Sequence, residues 1–256
     1  MDILRKELNE IYLRQRLGEE PLSEQVVREA LREARAFSEL SGCSVVVTDI
    51  ASDRSFFYPG LISDFMGLAE GQRAQEELAS SDEDFLYSMM NPEDLVDLRM
   101  LEYEFFKLAD KAPTDRKLDI QAFATVRMAT AQGRYVKIYK GTRAMRLSPA
   151  GKLWLMLCTY DINPYYEGGG TNPVIVNMRT GEVTHLSFDN QRTHILSERE
   201  KQVLRLIKEG KLSKEIADQL GISVNTVSRH RQKILEKLSV DNSIEAVNAA
   251  VRMRLL

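Results

Sequence analysis

The last quarter of the chain constrains the fold most, because short apolar stripes with helical spacing alternate there with residues that start or end helices. Ser197 followed by Glu200 is typical of a capping box, and Gly210 is placed to end the helix that this box starts. Gly221 supplies a tight turn, and Ser223 directly after it can cap the next helix. The pattern predicts four short helices in succession, with the second and third separated by the turn at Gly221.

The other two helix starts are predicted from the same chemistry. Ser213 is the predicted cap of the second helix, and Asn242 with Glu245 that of the fourth. The apolar spacing then defines the inward faces of the helices. The residues predicted to face inward in the first three helices are Val203, Leu204, Ile207, Ile216, Ala217, Leu220, Val227, Ile234, Leu235 and Leu238. The fourth helix carries the apolar residues Ile244, Val247, Ala250 and Val251.

The third predicted helix has a polar and basic outward surface. This surface consists of Asn225, Thr226, Ser228, Arg229, His230, Arg231, Gln232 and Lys233. Hydrogen-bond donors and cations of this kind can meet phosphates and base edges in a major groove of DNA. A short helix, a glycine turn and such a helix make a helix-turn-helix. The alternative interpretation is a charged helix face that is only solvated.

Residues 194–256 resemble the LuxR/FixJ-type DNA-binding domain. The residues that carry the resemblance are Leu196-Ser197-Glu198-Arg199-Glu200, Val203-Leu204, Glu215-Ile216-Ala217, Leu220, Ser223, Thr226-Val227, His230 and Lys237-Leu238. So many matches at fixed spacing are highly specific, and they favour DNA binding over the solvated face.

The resemblance implies a role for each candidate residue. Bases would be read by Ser228, Arg229 and Gln232, and phosphates would be contacted by Asn225, Thr226, His230 and Lys233. We predict Lys214 as a further phosphate contact. The fourth helix would form a dimer surface through Val247, Ala250 and Val251. Because one short helix reads too few bases, we expect a homodimer on a two-fold site in double-stranded DNA. Ser228 replaces the commoner basic residue, so no base preference is implied.

Charge is unevenly distributed, although the chain as a whole carries only −3. Residues 194–256 hold 12 Lys and Arg against 8 Asp and Glu, a net charge of +4, whereas the preceding residues hold 23 against 30, a net charge of −7. A basic terminal domain on an acidic body is typical of a regulated DNA-binding protein. Two mechanisms stay open: the body covers the third helix until a signal arrives, or the domains act independently.

Residues 41–165 show an α+β order, with a strand pair, short helices, a longer helix opened by Asn91 and Pro92, and three more strands. Those three strands are predicted over Ile120–Thr130, Arg134–Arg146 and Lys152–Ile162. The order resembles the PAS sensor fold, in which an antiparallel sheet with flanking helices senses a signal or dimerises. The motifs that carry the resemblance are Met90-Asn91-Pro92-Glu93-Asp94-Leu95, Gly133-Arg134-Tyr135-Val136, Pro149-Ala150-Gly151-Lys152 and Tyr160-Asp161-Ile162.

The predicted fold is therefore an α+β PAS-like domain followed by an all-α, four-helix helix-turn-helix domain. Residues 1–40 form a helical extension, interpreted either as packing on the sheet or as a dimer surface. Residues 166–193 form a hairpin or linker that starts with Gly168-Gly169-Gly170. The pattern leaves open whether the hairpin at 173–188 joins the sensor sheet.

The sequence argues against several cofactors and against catalysis. Haem needs an axial ligand, usually His, and His185, His194 and His230 all lie beyond the predicted sensor. Neither Cys43 nor Cys158 lies in the motif that a flavin photosensor needs. No catalytic residues and no metal ligands are predicted, because nucleophile elbows, phosphate loops and zinc spacings are missing from the sequence.

The remaining sequence features place the protein in the cytoplasm. The amino terminus lacks an apolar run of signal-peptide length, and no stretch is long enough to span a membrane. A cytoplasmic transcription regulator, possessing a sensor for an unidentified small molecule, is the interpretation that we favour. Two alternatives stay open: a sensor that acts only as a protein–protein adaptor, and an unrecognised enzymatic activity in residues 44–188.

Overall fold

The computed structural model describes residues 8, 10–66, 83–163, 170–188, 196–238, 240–252 and 255–256. The chain divides into two compact units, one of Leu8–Leu186 and one that contains Ser187–Leu256. The helices of the first unit are α1 (Glu24–Ser41), α2 (Ile62–Met66), α3 (Asp84–Tyr87) and α4 (Pro92–Lys111). Its strands are β1 (Ser44–Asp49), β2 (Arg54–Tyr58), β3 (Ile120–Ala129), β4 (Tyr135–Leu147), β5 (Leu153–Ile162), β6 (Val174–Asn177) and β7 (Val183–His185).

All seven strands form one antiparallel sheet in the order β2-β1-β5-β4-β3-β6-β7. The first five strands, in the order β2-β1-β5-β4-β3, have the arrangement of the PAS fold. The predicted antiparallel sheet with flanking helices is therefore confirmed. Strands β3, β4 and β5 begin and end within one residue of their predicted limits, because turn residues mark both hairpins.

The hairpin β6–β7 belongs to the sheet, which answers the question that the sequence left open. Strand β6 pairs with β3, where Phe123 lies opposite Val174 and Ala122 opposite Ile175. The first unit therefore extends to Leu186 rather than ending at 165. Gly168, Gly169 and the rest of 164–169 lie outside the described residues.

Helix α1 packs on one face of the sheet through its small residues. Ala30 is buried with Trp154 and Leu155, and Ala34 is buried with Val45 and Val47. This contact supports the packing interpretation of the amino-terminal extension. Near its end, however, α1 leaves Leu40 88% exposed, so part of its apolar surface is uncovered in a single chain. Residues 1–7 lie outside the described part.

Helix α4 is the longest described helix of the first unit, and its start is fixed by two local devices. The side chain of Asn91 accepts a hydrogen bond from the Glu93 backbone N–H at 3.0 Å, and Pro92 takes the first helical position, as predicted. The carboxylate of Asp94 then accepts hydrogen bonds from the Arg127 side chain and backbone on β3, the shortest at 2.7 Å. These bonds fasten the start of α4 to the sheet.

The second unit contains the four predicted helices: α5 (Glu198–Lys208), α6 (Ser213–Leu220), α7 (Val224–Leu238) and α8 (Ser243–Arg252). The prediction of an all-α domain is confirmed. Its fully buried core includes Val203, Leu204, Ile216, Val227 and Ile234, all predicted to face inward. Ile244, an apolar residue of α8, is 76% exposed. Among the described residues, no helix of either unit is long and apolar enough to cross a bilayer.

Candidate nucleic-acid interface

The turn between α6 and α7 depends on a glycine. Gly221 has φ 63° and ψ 38°, a left-handed conformation that other residues adopt at a cost. Two residues later, the Ser223 hydroxyl accepts a hydrogen bond from the Thr226 backbone N–H at 3.1 Å, so it caps α7 as predicted. The turn and the cap together define the direction of α7, which we call the recognition helix.

The far end of the recognition helix is held by an ion pair with the start of α5. Ser197 and Glu200 form the predicted capping box, and Glu200 also accepts a hydrogen bond from Lys237 Nζ at 2.6 Å. Burial alone would raise the pKa of Glu200, but the hydrogen bonds from Lys237 and Ser197 outweigh burial and hold that pKa below its ordinary value. The carboxylate therefore stays charged and keeps α5 and α7 together.

The predicted DNA-contacting residues lie on the open side of this arrangement. The exposed members are Lys214, Asn225, Ser228, Arg229, Gln232 and Lys233, and the half-buried members are Thr226 and His230. Steps of three and four residues along a helix return to the same face, so Asn225, Ser228, Arg229 and Gln232 share one side of the recognition helix. Polar and cationic groups are thus concentrated on one accessible surface.

The hydrogen bonds within the domain differ for two members of this set, Ser228 and His230. The Ser228 hydroxyl donates to the Val224 carbonyl at 3.1 Å, which leaves its oxygen available as an acceptor. The buried Nδ1 of His230 has no hydrogen-bond partner within the described part of the chain.

Arg231 does not join this surface, contrary to the sequence-based expectation. Its guanidinium donates to the hydroxyls of Ser213 and Ser243, at 2.9 and 2.8 Å. Ser213 therefore does not cap α6; the cap position belongs to Leu212, whose backbone N–H donates to Glu215 at 2.7 Å. The sequence pattern could not distinguish the role of Arg231 from that of Arg229, because the hydroxyl partners of Arg231 come from two other helices.

Helix α8 begins at the cap that the sequence predicts, since Asn242 accepts from the Glu245 backbone N–H at 2.9 Å. Of its predicted dimer residues, Val251 is 43% exposed and Val247 is half-buried, but Ala250 is fully buried. Ala250 therefore packs inside the domain and cannot contribute to an outer surface. The exposed apolar stripe of α8 consists instead of Ile244, Val247 and Val251, spaced by three and four residues.

The first unit contains a buried cluster of charges that the sequence analysis missed. Lys140 on β4 is fully buried, and its Nζ donates to Glu102 on α4 at 2.6 Å and to the Tyr87 hydroxyl at 2.9 Å. Tyr87 donates to the same Glu102 oxygen at 2.6 Å. Glu83 and Arg99 complete the cluster: Glu83 lies 3.8 Å from Lys140 and accepts from Tyr160, and Arg99 lies 3.4 Å from Glu102.

Lys140 and Glu102 keep their charges in this cluster although both are buried. Burial alone would lower the pKa of Lys140, but the neighbouring carboxylates outweigh it and the pKa is raised. Burial would raise the pKa of Glu102, but Lys140 and Arg99 hold it below its ordinary value. Burial and the neighbouring carboxylates raise the pKa of Tyr87 well above its usual range, so its phenol stays neutral. In the part of the chain that the structure describes, the cations of Lys140 and Arg99 thus lie beside the carboxylates of Glu102 and Glu83.

This cluster lies on the face of the sheet opposite α1. Successive side chains along a strand point to opposite faces of the sheet. Leu157 on β5 packs near α1, so its neighbour Cys158 points to the other face. Cys158 lies 3.7 Å from Thr142, which shares the face of Lys140 on β4. A sequence signal existed: Lys140 occupies an inward position of β4, where an unpaired lysine would be costly.

The structure also locates the residues considered for cofactors. His185 on β7 is exposed, whereas His194 lies outside the described residues. Cys43 is half-buried and Cys158 buried, and both are free thiols. In the described ranges, no three or more His, Cys, Asp or Glu side chains are grouped in a way that could hold a metal ion.

Helices α5–α8, with their glycine turn and exposed polar recognition helix, form a helix-turn-helix domain. Residues 194–250 match the family model of the bacterial regulatory proteins, luxR family, so this domain is of the LuxR type. The response regulatory protein YgeK of Escherichia coli is 46% identical over 67 residues, 26% of this chain and 43% of that protein. The transcriptional regulatory protein DesR of Bacillus subtilis is 52% identical over 52 residues, 20% of this chain and 26% of that protein. The chain thus spans less than half the length of these curated relatives.

A likeness to a solved structure extends over both units. The phage VqmA–DPO complex aligns with 91% of this chain and 93% of its own, at 13% identity and a TM-score of 0.32. With so low a score, the assignment of the first unit to the PAS fold depends on its strand order.

Proposed function

We propose that this protein is a cytoplasmic transcription regulator in which a PAS-like sensor domain controls a LuxR-type domain bound to double-stranded DNA. The observation that carries the proposal is the exposed polar surface of the recognition helix, on a domain that matches the luxR family. Core residues and the pair of Lys237 with Glu200 hold this helix in place.

Within this surface, the chemistry of each residue supports a separate role. Arg229 and Gln232 carry groups that can form paired hydrogen bonds with base edges. Ser228 would accept from a base donor, such as the amino group of adenine or cytosine, because its own proton is already donated within the helix. We assign phosphate contacts to Lys214, Asn225, Thr226, His230 and Lys233.

The salt dependence of binding tests the DNA-binding role. We expect Lys233→Ala to weaken binding to every duplex alike and to reduce the slope of log affinity against log salt by about one, because one released counterion is lost. Fluorescence anisotropy of the full chain on labelled duplexes, at several salt concentrations, measures this slope. Lys208→Ala is the matched control, since it removes an exposed lysine from α5. Affinity that does not depend on salt would refute DNA binding by this surface.

The proposed regulator binds DNA as a homodimer, with the exposed stripe of α8 as the interface. Ile244 and Val251 expose apolar area that a second copy could cover. We expect Ile244→Gln with Val251→Gln to weaken dimerisation by at least about tenfold, the effect of losing the burial of one large aliphatic side chain. Light scattering across a concentration series measures the change. Leu212→Gln, which replaces another exposed apolar residue of the same domain, should leave the oligomer unchanged; equal effects would exclude α8 as the interface.

The buried charge cluster supports a sensing role for the first unit. Buried ion pairs contribute little net stability compared with apolar packing, so stability alone does not account for such a cluster. We propose that the first unit binds a polar small molecule on the face of the sheet that carries this cluster. The alternatives are an adaptor without a ligand and an enzyme. Native mass spectrometry of the purified chain separates the sensor from the adaptor: a co-purified small molecule supports sensing, and its absence supports the adaptor.

A further inference from the structure

Arg231 lies in the middle of the recognition helix, but its guanidinium joins two other helices. Its Nη1 donates to the hydroxyl of Ser213 at 2.9 Å, and its Nη2 donates to the hydroxyl of Ser243 at 2.8 Å. Ser213 is the first residue of α6, and Ser243 is the first residue of α8. One rigid, planar group therefore fixes three helices relative to one another.

The buried side chains of α8 are small. Its buried side chains among the described residues are Ala246, Ala249 and Ala250. Methyl groups bury little area and form low ridges, so they allow one helix to slide or rotate on another. The charge-assisted hydrogen bond to Ser243 is directional and supplies the restraint that the alanines lack.

The surroundings of the guanidinium are consistent with a positional role. A cation beside two helix N-termini is opposed by the helix dipoles. Both helices, however, carry a glutamate in the first turn, Glu215 in α6 and Glu245 in α8. These carboxylates compensate the dipoles and allow the guanidinium to stay between the two helix ends.

We propose that Arg231 is a positioning residue that sets the separation at which two copies of this chain read their half-sites. In a dimer formed through α8, the angle between α7 and α8 determines the distance and rotation between the two recognition helices. A shift of one base pair turns a half-site by about 35° around the duplex. A small change in the angle between α7 and α8 therefore alters which half-site spacing the dimer fits. This inference rests on the proposed function, namely DNA binding by a dimer through α8.

The experiment uses the full chain and two-fold duplexes. A duplex selected by the wild-type chain from a random library is remade with its centre lengthened or shortened by about one or two base pairs. Affinity for each duplex is measured for wild type, Arg231→Met, Ser243→Ala and Ser213→Ala. Ser213→Ala is the matched control, because it removes only the hydrogen bond to α6 and leaves the one to α8.

We expect the wild-type preference for its best spacing to fall by at least about fivefold in Arg231→Met and Ser243→Ala, and to persist in Ser213→Ala. The slope of affinity against salt should stay unchanged in all three, because Arg231 contacts no phosphate. An unchanged spacing preference in Arg231→Met would overturn the proposal. A slope reduced by about one would also overturn it, since Arg231 would then be a phosphate contact.

Hydrogen exchange of the full chain without DNA gives a second, independent measurement. Arg231→Met and Ser243→Ala should both speed exchange in 243–252, and Ser213→Ala should not. If exchange in 243–252 is unaffected, the restraint on α8 does not exist, whatever the protein binds. If exchange responds but the wild-type chain selects no duplex, the proposed DNA-binding function fails and the role of Arg231 in spacing fails with it.

Discussion

Lys140→Met should lower the free energy of unfolding of the sensor unit by about 3–5 kcal/mol. The substitution preserves most of the side-chain volume but removes the cation that lies 2.6 Å from Glu102 and 3.8 Å from Glu83. Both carboxylates are buried, and the loss of the Lys140 cation takes one opposite charge away from them, so negative charge in the interior would be less compensated. Urea unfolding followed by tryptophan fluorescence measures the loss, because Trp154, the only tryptophan of the chain, lies in this unit.

The matched control is Lys107→Met, which breaks a lysine–glutamate pair at the surface. Lys107 lies 3.4 Å from Glu104 with its side chain 45% exposed, and a pair of this kind is worth about 0.2–1 kcal/mol. Similar losses for the two variants would show that burial adds nothing to the Lys140 pair.

The effect of Lys140→Met should also depend on pH. In the wild type the pKa of Glu102 is held low, so the stability it contributes is present above the unfolded pKa and is lost as pH falls through the folded one. In the variant, burial without Lys140 favours the protonated acid, which stabilises the folded state as pH falls. The difference between the two proteins should therefore shrink between pH 7 and about pH 4. A constant difference would mean that Glu102 is not the group left uncompensated.

Much of the fold could be predicted from the sequence, because helix caps and turn residues mark where the elements begin and end. The capping box at Ser197, the turn at Gly221 and the cap at Asn91 each fix a backbone hydrogen bond that needs no distant partner. The hairpin β6–β7 could not be placed, since its pairing with β3 depends on a contact between residues far apart in sequence. The apolar pattern of α8 did not show which of its residues face the core: Ala246, Ala249 and Ala250 are buried, whereas Ile244 is exposed.

The sequence predicted the candidate site correctly only for residues whose exposure depends on their own helix and not on partners from other elements. Arg229, Gln232 and Lys233 are exposed, as a helical projection of the sequence requires. The roles of Arg231 and Lys140 depend on partners brought from other elements, Ser243 in one case and Glu102 in the other. Periodicity places Lys140 on an inward face, but only the folded chain shows that α4 supplies the opposite charge.

Arg229→Ala should weaken binding to the selected two-fold duplex by about 1–3 kcal/mol per half-site, and binding to random duplex much less. Arg229 is exposed on the same face as Ser228 and Gln232, where its planar guanidinium can form two hydrogen bonds to one guanine. A phosphate contact would instead lose similar affinity on every sequence. Competition binding of the full chain to the selected duplex, with unlabelled random duplex as competitor, measures the ratio of the two affinities.

Arg205→Ala provides the control for charge alone, because it removes an exposed arginine from the last turn of α5. We expect this variant to change selected and random affinities together, if at all. For Arg229→Ala the ratio should fall by at least about tenfold, since a paired contact to a base stabilises only the cognate complex. Equal losses on the two duplexes would show that Arg229 contacts phosphates. Recognition of the base sequence would then depend on Ser228 and Gln232, because their neutral side chains can form hydrogen bonds to bases without adding charge to the interface.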